Sequence, residues 1–216
     1  MCQLPAHRQT VEPDGFTLLE VLVSISILAV GLMGSALLMT NTYKFSVRSR
    51  YMAEAAQLAS EKLEDLNRFP VNDQHVTVMS GDNQCGITGV NCEGSLTADA
   101  AGQSITVGGN TYTVYYNDSV FISATNTSGG VSNGSLQETY QTGPSSFTTL
   151  TFSPNGQTPT ITYPTSAPTL GETFDRRWVI EQDQPVVGAR RVTVRVIVMD
   201  QTVQPPVSFQ MSMVRP

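Results

Sequence analysis

The apolar and polar positions change their period along the chain. From Phe16 to Met39 almost every position is apolar or small, and Glu20 is the one carboxylate inside the run. As a helix, these residues would extend roughly 36 Å, against a hydrocarbon core of roughly 30 Å. The run is long enough to cross a membrane. Farther on, Met52, Ala56, Ala59, Leu63 and Leu66 recur at spacings of three and four, while Glu54, Gln57, Glu61, Glu64 and Arg68 take the other side. That is the period of an amphipathic helix. Glu64 and Arg68 form a favourable i, i+4 pair, and Pro70 stops the helix. One continuous helix from Phe16 to Arg68 is therefore expected, roughly 80 Å long. Gly31, Gly34 and Ser35 permit either close helix approach or a bend within it.

Toward the C-terminus the period becomes two. In "RRVTVRVIVM", Val192, Val194, Val196 and Val198 fall on one face, with Arg191, Thr193, Arg195 and Ile197 on the other. In "VSFQMSMV" the apolar face is Val207, Phe209, Met211 and Met213. Together with "RRWVIEQD", and with Gln184, Pro185 and Gly188 as turn residues, these predict a three-stranded antiparallel meander whose apolar face covers the helix. Tyr112 to Tyr116 and Phe121 to Ala124 suggest a further hairpin turning at Asn117 and Asp118. Residues 125–173 are dense in Ser, Thr, Gly, Asn and Pro and read as exposed loops, with short strands at Phe147 to Phe152 and Thr160 to Tyr163. A surface that contacts another protein or a ligand is the sharper alternative for this stretch. The fold class is α+β, a long N-terminal helix on a C-terminal antiparallel sheet.

Charge and chemistry adjust this picture in a few places. The formal net charge is −6 without a basic cluster, so nucleic acid is not an expected partner. Two other readings of the apolar run stay open: a secretory signal cut near Gly34-Ser35-Ala36, and a core helix buried in the protein. Lys44, Arg48 and Arg50 follow the span, whereas Arg8 precedes it with Glu12 and Asp14. A simple positive-inside count therefore opposes export of the C-terminal region, although long domains translocate largely regardless of charge. Cys85 and Cys92 close "CGITGVNC", whose Gly and Asn suit a tight loop, and a local disulfide in an oxidising compartment is expected, with two free thiols as the alternative. No metal site is expected, because only His75 lies nearby and there is no second Cys pair. "SGDNQ", Ser80 to Gln84, reads as a turn before it reads as a calcium loop. The acids form no ligand set and no phosphate loop follows a strand, so neither an enzyme nor a cofactor is expected.

"GFTLLE", Gly15 to Glu20, followed at once by the apolar run, resembles the processing site of type IV prepilins and pseudopilins. The resemblance implies that a prepilin peptidase cuts between Gly15 and Phe16 and that the new amino-terminal Phe16 is methylated. Gly suits the cut because it offers no side chain to obstruct a protease groove. The family's assembly acid falls on Glu20. A buried carboxylate prefers a cation, and cleavage makes one, since the freed amine of Phe16, with an ordinary pKa of about 7.7 to 8.0, would be charged and could meet Glu20 of a neighbouring subunit. Snorkelling of Glu20 to the headgroups is the alternative.

Within the span, "LVSISILAVGLMG" is most similar to the PilV-type minor pilins, and the strand order near the C-terminus is similar to the heads of PilV-type pilins and of pseudopilins. The leader is longer and less basic than those common in the family, and Cys2 belongs to the part removed. The organisation implied is a leader over 1–15, a transmembrane and filament-core helix over 16–42, an amphipathic helix over 43–69, and a periplasmic β-rich head over 70–216. The implied function is that of a minor pilin in type IV pilus assembly, priming or modification. A type II secretion pseudopilin and a pilus-borne binding subunit are the alternatives. Implied partners are the prepilin peptidase, other minor and major pilins, the pilus assembly platform and inner-membrane lipid, with the chain moving from the inner membrane to the pilus.

Overall fold

The computed structural model describes residues 17–81, 83–86, 88–97, 102–125, 135–143, 145–152, 158–168, 171–200 and 203–216. Among the described residues one helix, α1 (Leu18–Arg68), precedes ten strands: β1 (Cys92–Gly94), β2 (Gln103–Val107), β3 (Asn110–Val114), β4 (Asn117–Thr125), β5 (Ser135–Gly143), β6 (Ser146–Phe152), β7 (Thr160–Thr162), β8 (Glu172–Gln182), β9 (Arg190–Val198) and β10 (Ser208–Arg215). The chain divides into two compact units, residues 1–47 and 48–216.

In the first unit every described side chain from Thr17 to Ser46 is exposed, including Leu22, Ile27, Leu32 and Leu38. Proline is absent from the stretch, and Leu, Met and Ala, good helix formers, recur through it. Four of its hydroxyls turn inward along the helix. Ser26, Ser35, Thr40 and Thr42 each donate to the carbonyl four residues back at 2.9 Å. A span in hydrocarbon requires this, since no water is there to satisfy a polar atom. Among the described residues α1 is long and apolar enough to cross a membrane.

In the second unit the remainder of α1 packs on an antiparallel sheet, which gives the α+β architecture. Its buried stripe is Tyr51, Ala55, Leu58, Ala59, Leu63 and Leu66. This corrects the face read from the sequence, because Met52 is exposed and Ala56 only half-buried. The helix is turned so that Tyr51 meets Phe174 edge-on, with ring centroids 6.3 Å apart.

The sheet runs in the order β10-β9-β8-β4-β5-β6-β7, and β1 shares with β4 one edge of the long strand β8. The meander β8-β9-β10 forms as the alternation implies. Val192, Val194, Val196 and Val198 are all buried, opposite Ile180, Trp178, Arg176 and Phe174 on the same face. Along the edge strand β10, Phe209, Met211 and Met213 are half-buried while Ser208, Gln210 and Ser212 are exposed.

Two expectations fail here. Asn117 and Asp118 do not turn a hairpin but begin β4, and Tyr112 lies in β3, which pairs with β2 in a separate two-stranded sheet. That hairpin turns at Gly108 and Gly109, whose φ angles of 59° and 85° are the positive values that a type I′ turn needs at both central residues. Residues 125–173 are also more than loops. Ser135–Gly143, Ser146–Phe152 and Thr160–Thr162 extend the main sheet by three strands beyond β4. The described strands at Ser146–Phe152 and Thr160–Thr162 coincide with those read within the stretch.

Candidate functional site

Thr17, Leu18, Leu19 and Glu20 form the start of α1. The Thr17 Oγ1 accepts the Glu20 backbone N–H at 3.3 Å, and the Glu20 and Val21 amides also reach the Thr17 carbonyl at 3.0 and 3.2 Å. Thr-x-x-Glu is the sequence of a capping box, in which a hydroxyl and an acid three residues on neutralise the free amides of the first turn. The cap therefore places Glu20 in that turn, where the positive end of the helix dipole favours a carboxylate. Glu20 is exposed at the end of an apolar rod. Gly15 and Phe16 lie outside the described residues, as does the leader.

Cys85 and Cys92 are bridged, with Cα atoms 5.8 Å apart. Gly86 and Gly89, at φ 76° and 81°, supply the left-handed backbone the loop between them needs. Cys92 is fully buried and opens β1, which pairs with β8 from Cys92 opposite Glu181 to Gly94 opposite Val179. The bridge thus ties an exposed loop to the sheet. Asp82 of the "SGDNQ" turn is outside the described residues. His75 stacks on Phe69 at 4.5 Å and shares a 2.6 Å contact with the Asp73 carboxylate, a local knot after the helix end.

A polar seam between helix and sheet has no counterpart in the sequence reading. Asp118 on β4 accepts two hydrogen bonds from Arg176 on β8, both 2.7 Å, and one from Lys62 on α1 at 3.1 Å. Lys62 Nζ lies 3.9 Å from the centre of the Trp178 ring, a cation held by both a carboxylate and a π face. Burial pushes the Asp118 carboxyl up, but Lys62 and Arg176 outweigh it and hold it below the usual carboxylate range. Beside this group, Tyr140 Oη is 3.0 Å from Glu61 and 2.6 Å from Glu138. Burial raises the Glu61 carboxyl despite Arg176 and the Tyr140 hydroxyl, and Glu138 adds to the rise. Only the opposite charges on strands 58 residues apart in sequence, Asp118 and Arg176, could have hinted at the seam.

The helix start is decided by comparison as well as geometry. Residues 14–36 match the prokaryotic N-terminal methylation motif. No curated protein and no solved structure matches the chain. The motif covers Gly15, Phe16, Thr17 and Glu20 and most of the apolar run, and leaves the head unmatched. It supports a type IV pilin-like prepilin, anchored by a single apolar helix and processed by a prepilin peptidase. Chemically, the described residues of this region offer one carboxylate, a capped helix end and a long apolar surface. These are parts for association in an apolar medium.

Proposed function

We propose that this chain is a minor pilin: a prepilin cut between Gly15 and Phe16, methylated at Phe16, and built into a type IV pilus where it primes or modifies assembly. The observation that carries the reading is the capped, wholly exposed apolar helix with Glu20 in its first turn, inside the methylation motif and continuous with an amphipathic helix packed on a β head. The head faces the periplasm while the helix lies in the inner membrane, and the subunit then passes through the assembly platform to join other minor and major pilins. In the filament Glu20 takes the charged Phe16 amine of a neighbour. A charged side chain at a helix centre costs about 2.5 to 3.5 kcal/mol on translocon scales, and pairing removes much of the smaller cost near a helix end. The subunit is structural rather than catalytic.

Mass spectrometry of the amino-terminal peptide should find methylated Phe16 and no Cys2. An intact leader in cells with an active prepilin peptidase would refute the proposal. Glu20→Gln should leave cleavage intact and sharply reduce recovery of the chain in the assembled fraction. Recovery equal to wild type would remove the role assigned to Glu20.

A further inference from the structure

Between the last turns of α1 and the sheet lies a groove of about 1040 Å³, at the upper end of the range for small-molecule clefts. All of its lining belongs to the second unit. Strands β4, β5 and β6 contribute Asp118, Tyr140 and Thr148, which register places on one sheet face with Arg176 of β8. Glu61 and Asp65 on α1, and Thr113 and Tyr115 around the end of β3, also line it.

The lining favours neither sign of charge. Lys62, Arg68 and Arg176 are offset by Glu61, Asp65 and Asp118, with His75 counted neutral. Lys62 and Arg176 are moreover engaged by Asp118, at 3.1 and 2.7 Å. What the groove offers is hydrogen bonding and ring surface. Trp178 is only 5% exposed, and its buried Nε1–H has no acceptor among the described residues, whereas a buried donor is ordinarily paired. One face of the indole is covered by Lys62 Nζ, 3.9 Å from the ring centre. Tyr115 is 40% exposed and keeps ring surface open. Asp65 and Arg68 are exposed and meet only at 3.9 Å, so each has hydrogen-bonding capacity to spare.

A ligand matched to this lining is neutral, gives protons to carboxylates, accepts them from Trp178 and Arg68, and lays an apolar surface on Tyr115. A hydroxyl both donates and accepts, and a sugar ring joins several hydroxyls to a face of C–H groups. An extended peptide is also neutral, but it is recognised by ladder bonds to a free sheet edge. Here β4, β5 and β6 are each paired on both sides. We propose that the groove binds a neutral saccharide, with the sugar ring on Tyr115, hydroxyls donating to Asp65 and Glu61, and a hydroxyl oxygen taking the Trp178 Nε1–H. The site lies wholly in the head, so it stands or falls independently of assembly into a pilus.

Trp178 is the single tryptophan of the sequence, so the indole N–H of the nitrogen-15-labelled full chain gives one cross-peak that reports on the groove. The chain is held in a detergent without a sugar headgroup and titrated with lactose, maltose and diacetylchitobiose, and separately with digalacturonate and tri-alanine. A saturable shift of the indole peak with at least one of the three neutral disaccharides is expected. Tyr115→Ala should weaken that binding about tenfold or more, Asp65→Ala should weaken it as well, and Tyr115→Phe, which keeps the ring, should bind as wild type does. Tyr115 and Asp65 are exposed, and unchanged melting curves check that the head stays folded. No shift with any of the three disaccharides overturns the proposal, as does binding that Tyr115→Ala leaves intact. A shift with digalacturonate alone or tri-alanine alone overturns it too, in favour of an acidic ligand or a peptide.

Discussion

Replacing Asp118 by Ala should destabilise the head more than any exposed ion-pair change. Asp118 holds Arg176 with two bonds of 2.7 Å, and the Arg176 side chain is only 3% exposed. Among the described residues its guanidinium otherwise donates to the Leu58 carbonyl, at 3.5 Å. Truncation strands a guanidinium that water cannot reach, and breaking a buried pair from one side costs about 3 to 5 kcal/mol. For a domain of this size each kcal/mol moves Tm by about 2 to 4 °C, so a fall on the order of 6 to 20 °C follows. Circular dichroism melting of the purified mature chain in detergent, with urea titration for ΔG, measures it. Asp118→Leu combined with Arg176→Met should recover most of the loss, because replacing both charges by apolar groups removes the desolvation cost together with the pair. The acid dependence has a definite sign. Lys62 and Arg176 hold the folded carboxyl low against burial, so its stabilisation is present above the unfolded pKa of about 3.9 and is lost as pH falls through the folded value below it. The paired apolar variant should lack that component of acid unfolding. A loss below about 1 kcal/mol for Asp118→Ala, the level of a surface pair, would refute the reasoning, as would a double variant no more stable than the single.

Three further outcomes are expected. Reduction of the Cys85–Cys92 bridge should cost about 2 to 3 kcal/mol by the chain-entropy account of so short a loop, and alkylation of the unreduced protein should label neither thiol. Gly94→Ala should lower the urea midpoint by the equivalent of about 2 kcal/mol or more, since φ there is +86° and a Cβ would stand 2.3 Å from the Trp178 carbonyl oxygen. Glu61→Gln should raise Tm at neutral pH and make no difference near pH 4. Burial and Glu138 raise the folded carboxyl, so the stability linked to its protonated form is complete below the unfolded pKa of about 4.3 and is lost as pH rises through the folded value. Melting curves of both proteins across that range check the crossover.

What is local in this protein is legible in its residues. A run of apolar side chains long enough to span, with Thr17 and Glu20 three apart at its start, specifies a capped helix whatever surrounds it. The strict alternation of Val192, Val194, Val196 and Val198 specifies a strand with one buried face, since a one-residue slip would expose all four. The helix face was harder to place. Met52 and Ala56 fit a helical stripe as well as Tyr51 and Ala55 do, because alanine carries little hydrophobic signal, and the choice fell to Tyr51 through its ring contact with Phe174 and its 2.8 Å hydrogen bond to Asp200. Asn117 and Asp118 have strong turn preferences of their own. They are held in β4 because Asp118 there meets Arg176 and Lys62, groups 58 and 56 residues away in the chain. Ser135–Gly143 looks like loop by composition, yet becomes a central strand as its polar side chains find partners across the ladder, such as Thr139 and Thr149 at 2.8 Å. Periodicity records which side chains share a face, and only the tertiary structure decides what meets that face, because a buried charge or hydroxyl is stable solely where a distant part of the chain supplies its partner.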